Sequence, residues 1–582
     1  MSQLILTVHT GIHDAAAALF EDYELCAAVQ LERLTRRKGD GSQYPDLCID
    51  EVLGIAGATR RDVDVLVASR CEFPTEFYRN IRGARWIREK YRKYVEKNTR
   101  RYMVGEFRRY HTPRIDDIFD VDKYRNAGGF RDDTQVYFHN HHEAHALAAL
   151  FYTQWDEALL VTADAGGDSV NYSHRRFAGG ALQTIYGGEE YLVQPLPADS
   201  IAYAYMAMTA ALGFVPLRHE GKLTGLAAFG QPVLAEKIAA RFSVGEDGRI
   251  FSDFQRDSDM MAFMRELAAP VSREDASASI QKVLEDTMLL SIGRLLERTT
   301  VRRLGLAGGV FANVRLNRTL SECLPIDEIF IFPAMGDEGI PVGATLCYLL
   351  QRDGLPHWLK QRRELRDMYF GRDYTDAIDA VLGASLDVRK TNEQSVAGAA
   401  RRLDAGQLGA IYTGRMEYGP RALGARSILA NPSRRETHDL LNKRLARTEF
   451  MPFAPVIAAD KAAMVFDVNS VNAYACRFMT ITCNVKPEWR ERIAAVVHVD
   501  GSARPQTIER DTNPLYYDIL AAFERESGLP VLVNTSFNVH EEPIVNKPEE
   551  CLKALLDGRI DFVVTAKGIY ERTSSQPSAS SP

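Results

Sequence analysis

The sequence predicts an α/β protein built from more than one core, with its N-terminal part duplicated. Three observations carry this. At 582 residues the chain exceeds the ~250–300 residues at which a single hydrophobic core stops growing. Its composition is ordinary for globular proteins, at 46% hydrophobic, 26% charged and 9% aromatic, which excludes bulk disorder and fibrous classes. One strand–turn–strand pattern occurs twice, from Leu4 and again from Ala158.

In order along the chain, Leu4–His9 is apolar and rich in β-formers, and Gly11-Ile12-His13-Asp14 is a turn. Ala15–Phe20, the acidic turn Glu21-Asp22 and Leu25–Leu31 complete strand, turn, strand, turn, strand. The pattern returns as Ala158–Ala163, the turn Asp164–Asp168, a strand from Ser169, then Arg175-Arg176 and Ala181–Tyr186. Between the two, Tyr78–His111 carries twelve Lys/Arg against three Glu, with interleaved aromatics. It is read as a solvated helical insertion rather than a nucleic-acid or acceptor surface. The uncharged run between Asp199 and Arg218 breaks at Gly213 and Pro216, which fits a buried helix and not a membrane span. Charges interrupt the apolar periodicity over Gly354–Arg372, followed by an amphipathic helix over Val396–Leu408 and a strand over Leu408–Tyr412. These give domains 1–360 and 361–571, with a Ser/Pro-rich disordered tail at 572–582.

Charge and cysteine content narrow the partners. With 71 Lys+Arg against 78 Asp+Glu the net charge is −7, which disfavours a polyanion-coating protein. The eight cysteines include no CxxC pair and fit free thiols in a reducing compartment. The N-terminus MSQLILTVHTGIHD has no basic segment leading into a long apolar stretch, so a cytoplasmic location is expected.

Four histidines lie within Phe138–His145, and the alanines that follow favour helix, which places His141 and His145 on one face. Two imidazoles one turn apart suit a transition metal, and the string is not the HExxH of metalloproteases. Glycine turns recur at Asp164–Asp168, Gly336–Gly339 and Leu306–Asn313. Their glycines let backbone approach a phosphate or an ion, as suits a nucleotide between two α/β lobes. Glu220-Gly221-Lys222 lacks the Ser/Thr and leading glycine of a P-loop, which rejects that NTPase class. The C-terminal part has Arg421 and Arg426 five apart among glycines, with polar strings at His498–Gln506 and Val533–Asn538. Arginines there suit multidentate anion recognition.

Collinear motifs GIHDAAAAL, HNHHEAHA, TADAGGD, HEGKLTGLAAFG, LAGGVFAN, GDEGIPVGA, GRMEYGPRALGARSI, HVDGSARPQT and VNTSFNVHEEPIV span nearly the whole chain. In these the chain resembles the ATP-dependent carbamoyltransferases of the NodU/CmcH type, which include the tobramycin and cephalosporin O-carbamoyltransferases. The resemblance implies duplicated actin-like ATPase lobes, akin to the threonylcarbamoyl-transferring tRNA-modification protein, and a C-terminal α+β YrdC-like domain. It implies that the C-terminal site joins carbamoyl phosphate and ATP, with Mg2+, into carbamoyladenylate and pyrophosphate. The intermediate then passes to the N-terminal site, where the hydroxyl of a small-molecule acceptor takes the carbamoyl group. By the family pattern His141, His145, Asp164 and Asp337 ligate a divalent metal, expected to be Fe2+, while His13 and Asp14 sit at the acceptor. Gly166, Gly167, Lys222, Gly308, Gly309 and Asn313 fall near the nucleotide. Arg421, Arg426, Ser427, Lys443, Arg447, Arg504 and Asn534 line the activation site. The segment Asn442–Pro455 departs from the usual family pattern, which leaves open whether Lys443, Arg444 or Arg447 meets the phosphates.

Rival readings keep the fold and change the chemistry. A tRNA threonylcarbamoyl-type transferase needs an RNA face, for which Tyr78–His111 is the candidate and the net charge is unfavourable. A hydrogenase-maturation carrier needs a cysteine-rich zinc region absent from this sequence. A nucleotide sensor has no use for the His/Asp/Arg sets in both halves. A small-molecule acceptor remains the expected partner, without nucleic acid or membrane, and a homodimer is left open.

Overall fold

The duplicated strand–turn–strand pattern becomes two five-stranded sheets in the computed structural model, which describes residues 2–11, 13–69, 77, 120–191, 196–446 and 453–573. The first sheet contains β1 (Leu4–His9), β2 (Ala16–Glu21), β3 (Glu24–Gln30), β4 (Val65–Ser69) and β5 (Gln135–His139), ordered β3-β2-β1-β4-β5. The second contains β6 (Glu157–Gly167), β7 (Val170–Ala178) and β8 (Ala181–Tyr186). A small hairpin, β9 (Phe242–Val244) and β10 (Ile250–Ser252), precedes its last strands β11 (Arg303–Ala307) and β12 (Glu328–Ile331). Its order is β12-β11-β6-β7-β8. In both sheets the first three strands form an antiparallel meander, and the last two extend in parallel from the first. The two orders are the same when strands are counted within each sheet.

The last strand of each sheet feeds a helix that packs on the other sheet. Helix α1 (His141–Phe151) follows β5 and lies on β6 and β11, and it starts at Asn140, whose side chain accepts from the Glu143 N–H. Its alanines supply the helix propensity. Beyond it come α2 (Ile201–Ala211), α3 (Glu220–Leu226), α4 (Arg273–Glu297) and α5 (Val314–Cys323). Helix α6 (Ile340–Asp353) follows β12 and packs on β1 and on α1. A Cβ at Gly343 would fall 1.9 Å from the Ala144 carbonyl oxygen, so the close α1–α6 approach requires glycine.

Two sequence expectations change here. The strand expected over Ala158–Ala163 runs on to Gly167, and the turn proper is Asp168-Ser169, with φ of 46° and 68°. Arg175-Arg176 does not interrupt the next strand but lies inside β7. The uncharged run after Asp199 forms α2. Among the described residues, no helix is long and apolar enough to cross a membrane.

The chain divides into one unit of residues 1–35 and 39–365 and a second of 36–38 and 366–582. The second unit is built on an eight-stranded mixed sheet. Its order is Val388–Lys390, Gly568–Arg572, Phe562–Thr565, Gly409–Tyr412, Arg426–Ala430, Val531–Ser536, Ala454–Ala458 and Gln506–Ile508. The helices Ser395–Asp404 and Pro514–Ser527 pack together within this unit. The basic segment 78–111, Arg447 and residues 574–582 of the tail lie outside the described residues.

Candidate functional site

In the first unit, strand ends deliver a cluster of histidines and carboxylates. His9 closes β1, His13 and Asp14 form the β1–β2 turn, Asp164 lies on the terminal part of β6, and Asp337 follows β12. His141 and His145 come from the first turns of α1, whose leading N–H at His141 donates to Asp168 Oδ2 at 2.8 Å. One ligand atom each from His141, His145, Asp164 and Asp337 lies within 4.8 Å of the other three. His141 Nε2 is 3.6 Å from Asp337 Oδ1, and His145 Nε2 is 3.6 Å from Asp164 Oδ2 and 3.7 Å from Asp337 Oδ1. These spacings exceed hydrogen bonds and suit groups around one ion, because ligands ~2.1 Å from a metal sit ~3–4 Å apart. His145 Nε2 and Asp337 Oδ1 are also buried without a hydrogen bond, which a divalent cation would satisfy. The four residues therefore fit a metal. Histidine nitrogen with carboxylate oxygen accommodates iron among other first-row ions.

Electrostatics tie the cluster together. Burial pushes His145 down, but Asp164 and Asp337 outweigh it and hold the ring at about 9. Burial likewise opposes charge on His13, yet its bond to Asp14 Oδ2 at 2.9 Å and the Asp337 and Asp164 carboxylates raise it to about 10. Burial with two neighbouring imidazoles drives His142 well below the ordinary range. Glu338, buried beside Asp14 and Asp337, rises to about 8.

The glycines are placed unequally. A Cβ at Gly167 would lie 2.2 Å from the His141 ring, so this residue sets how closely β6 approaches the imidazole. Gly309 N–H donates to Asp164 Oδ2 at 3.1 Å, and Gly308 N–H donates to the Met335 carbonyl at 2.7 Å. Gly166 lies against Asn171 and Leu196. Two more of the expected nucleotide residues have structural contacts of their own. Asn313 caps α5 through the Leu316 N–H and exchanges bonds of 2.8 and 3.2 Å with Gln281, so its amide is committed to structure. Lys222 lies in α3 with its Nζ 6.0 Å from the centroid of the Phe214 ring.

In the second unit the arginine–glycine motif forms a loop tethered on every side. The Glu417 carboxylate accepts from the N–H groups of Leu423, Ala425 and Arg426 through one oxygen. Asn534 donates to the Ala422 carbonyl and to Gln506 Oε1, and Gln506 donates to the Leu423 carbonyl. Ser427 Oγ accepts from the Gly424 N–H at 3.0 Å. Arg426, expected as an open anion ligand, is fully buried over the Tyr412 ring and donates to the carbonyls of Thr413, Gly414 and Ala425. Arg426, Ser427 and Asn534 thus hold the loop from beneath. Arg421 and Arg504 remain partly exposed and Lys443 exposed, whereas Arg444 is paired with Asp561 at 2.6 Å. Sequence reasoning did not single out Glu417 or Gln506, although both stand inside quoted motifs. The signal was a lone acid amid glycine turns, where backbone N–H groups collect.

Residues 4–346 match the family model of the carbamoyltransferase N-terminus, and residues 400–572 that of the carbamoyltransferase C-terminus. The chain belongs to the carbamoyltransferase family. It is 29% identical to nodulation protein NolNO of Sinorhizobium fredii, over 98% of this chain and 80% of that protein. Nodulation protein NolO of Bradyrhizobium diazoefficiens is 31% identical over 73% and 77%. An uncharacterised Methanocaldococcus jannaschii protein is 28% identical over 96% and 97%. Among solved structures, full-length HypF in its phosphate- and nucleotide-bound form aligns with TM-score 0.33 at 12% identity, over 60% of this chain and 47% of HypF. This carbamoyltransferase is accordingly an enzyme; apart from residues 36–38 the N-terminal match lies within the first unit, and the C-terminal match lies within the second.

Proposed function

We propose that the protein is an ATP-dependent O-carbamoyltransferase acting on a small-molecule hydroxyl. Its first unit is read as duplicated actin-like lobes and its second as a YrdC-like activation domain. In the second unit carbamoyl phosphate loses its phosphoryl group to water as inorganic phosphate. A carbamate oxygen then attacks the α-phosphorus of ATP, pyrophosphate leaves, and carbamoyladenylate forms. Arg421, Lys443 and Arg504 are assigned to the phosphate charges, with Mg2+ accompanying ATP, and the Glu417-tethered loop holds Arg421 in place. In the first unit the acceptor oxygen attacks the carbamoyl carbonyl, the C–O bond to AMP breaks, and the acceptor proton leaves to a base.

His141, His145, Asp164 and Asp337 would hold a divalent metal, which supplies Lewis-acid polarisation when bound. His13 Nε2 lies 3.8 Å from Asp337 Oδ2, and Asp14 fixes the ring through Nδ1. While three carboxylates face it uncompensated, His13 keeps its proton to about pH 10. Neutralising Asp164 and Asp337 would lower that value and free Nε2 to take the acceptor proton.

The observation that carries this reading is the four-residue cluster of His141, His145, Asp164 and Asp337 in a chain that matches the carbamoyltransferase family. The test supplies carbamoyl phosphate, ATP and a panel of hydroxylated metabolites, and reads pyrophosphate release together with product mass. Pyrophosphate and a gain of one carbamoyl group are expected. No pyrophosphate would favour a nucleotide sensor, and salt-sensitive tRNA retention would favour an RNA-directed transferase.

A further inference from the structure

The face of β6 and β7 beneath α1 is polar where a covered sheet face is ordinarily aliphatic. Across this ladder Thr162 lies opposite Ser173, and Leu160 opposite Arg175. Thr162, Ser173, Arg175 and His142 are at most 2% exposed. They form a continuous chain of hydrogen bonds. An Arg175 Nη1 proton goes to Ser173 Oγ, Ser173 Oγ is 2.6 Å from Thr162 Oγ1, and Thr162 Oγ1 is 2.8 Å from His142 Nδ1. His142 Nε2 lies 3.1 Å from the Val170 carbonyl oxygen.

The two ends set the direction. A guanidinium has no acceptor and a carbonyl has no proton, so Arg175 donates at one end and Val170 accepts at the other. With a neutral ring between them, Ser173 donates to Thr162, Thr162 donates to Nδ1, and the single ring proton sits on Nε2. Arg175 also donates to the His142 carbonyl at 3.3 Å, which ties it to the backbone of α1. Among the described residues its hydrogen bonds reach no carboxylate. A buried cation so placed costs stability that an aliphatic pair would not. Such a cost points to a positional role.

We propose that Arg175, Ser173 and Thr162 are a positioning relay. They lock His142 as its Nε2–H tautomer and thereby set the rotation and height of α1 from which His141 and His145 reach the cluster. The proposal rests on the reading of His141 and His145 as metal ligands. None of the three relay residues touches that cluster directly; they act through His142 and the helix. Groups that hydrogen-bond a metal-ligating side chain directly are typically worth 10–100-fold in metal affinity, and the relay acts one step further out, through His142.

Two substitutions at one position separate the relay from packing. Thr162→Val keeps the shape and removes the hydroxyl, whereas Thr162→Ser keeps the hydroxyl and removes a methyl. Titration of the metal-stripped full chain with Co2+, followed by its visible absorption, is expected to show a drop of about tenfold or more for Thr162→Val. Thr162→Ser is expected to bind like the parent, although its thermal midpoint falls. Ser173→Ala should weaken Co2+ as Thr162→Val does, and the double variant no further, since either change cuts the same chain. NMR of isotope-labelled histidine should give His142 as Nε2–H in the parent and lose that assignment in Thr162→Val. Equal Co2+ affinity for Val and Ser at this position, or an Nδ1–H tautomer in the parent, would overturn the relay. Absence of Co2+ binding to the parent would instead remove the metal reading, and with it the role assigned to α1, while the NMR arm still reports the tautomer.

Discussion

Asp199 shows how burial alone sets a testable property of one residue. It sits at the start of α2 with Asn171 donating to it at 2.6 Å, and burial lifts its carboxyl to about 6 despite that bond. A carboxyl raised in the folded state favours folding while protonated. That contribution is complete below its unfolded value of 3.8 and is lost as pH climbs through about 6. Asp199→Asn should therefore match the parent in stability near pH 4 and exceed it at pH 8 by roughly 2 kcal/mol, as urea unfolding at both pH values will read. A gain independent of pH would contradict the assignment. His145 yields a second expectation. Because it holds a proton to about 9 in the cation-free cluster, metal must displace that proton. Apparent Co2+ affinity should rise up to tenfold per pH unit below about 9, with one proton released in calorimetry across buffers of different ionisation heat. Arg426 and Arg421 look alike in the sequence and differ in the fold. Arg426→Lys should cost roughly 3 kcal/mol of stability by leaving buried carbonyls without partners, whereas Arg421→Ala should leave the melting midpoint nearly unchanged and depress pyrophosphate formation.

At the scale of elements, the pair α1 and α6 matters most, since one carries His141 and His145 and the other follows directly from Asp337. Their separation is fixed by Gly343 against the Ala144 carbonyl. Gly343→Ala puts a methyl where 1.9 Å is available, so the helices must part. We expect a loss of about 1–3 kcal/mol in thermal unfolding and weaker Co2+ binding, because α1 would shift as a body. Unchanged binding would show that the cluster tolerates the movement. The sequence marked α1 well, through its alanines and the i, i+4 histidines, and marked β1, β2, β3 and β8 through apolar runs between turns. It misjudged the end of β6 and the passage of β7 through Arg175-Arg176. A buried arginine reads as a turn residue until the partners that satisfy it are known.

For the whole molecule, the proposed function assigns one half-reaction to each of the two units, and that assignment can be tested. His145→Ala should abolish the carbamoylated product yet leave pyrophosphate release from carbamoyl phosphate and ATP within a fewfold of the parent. Loss of both activities would mean that activation depends on the first unit. Local order fixed much of this protein: strand runs, glycine turns, the histidine helix and the repeated pattern are all properties of neighbours in the chain. Periodicity and turn chemistry act over a few residues and need no partner. Which residues meet was decided by tertiary structure alone. Asp164 and Asp337 are brought to one pair of histidines because β6 and β12 run parallel in one sheet and end on the same edge, and α1 after β5 packs against that sheet. Arg426 sinks beneath its loop while Arg421 stays partly exposed, because strand register assigns one to the interior and leaves the other at the turn. Side-chain chemistry was written in the sequence, and only long-range packing could choose between a ligand and a strut.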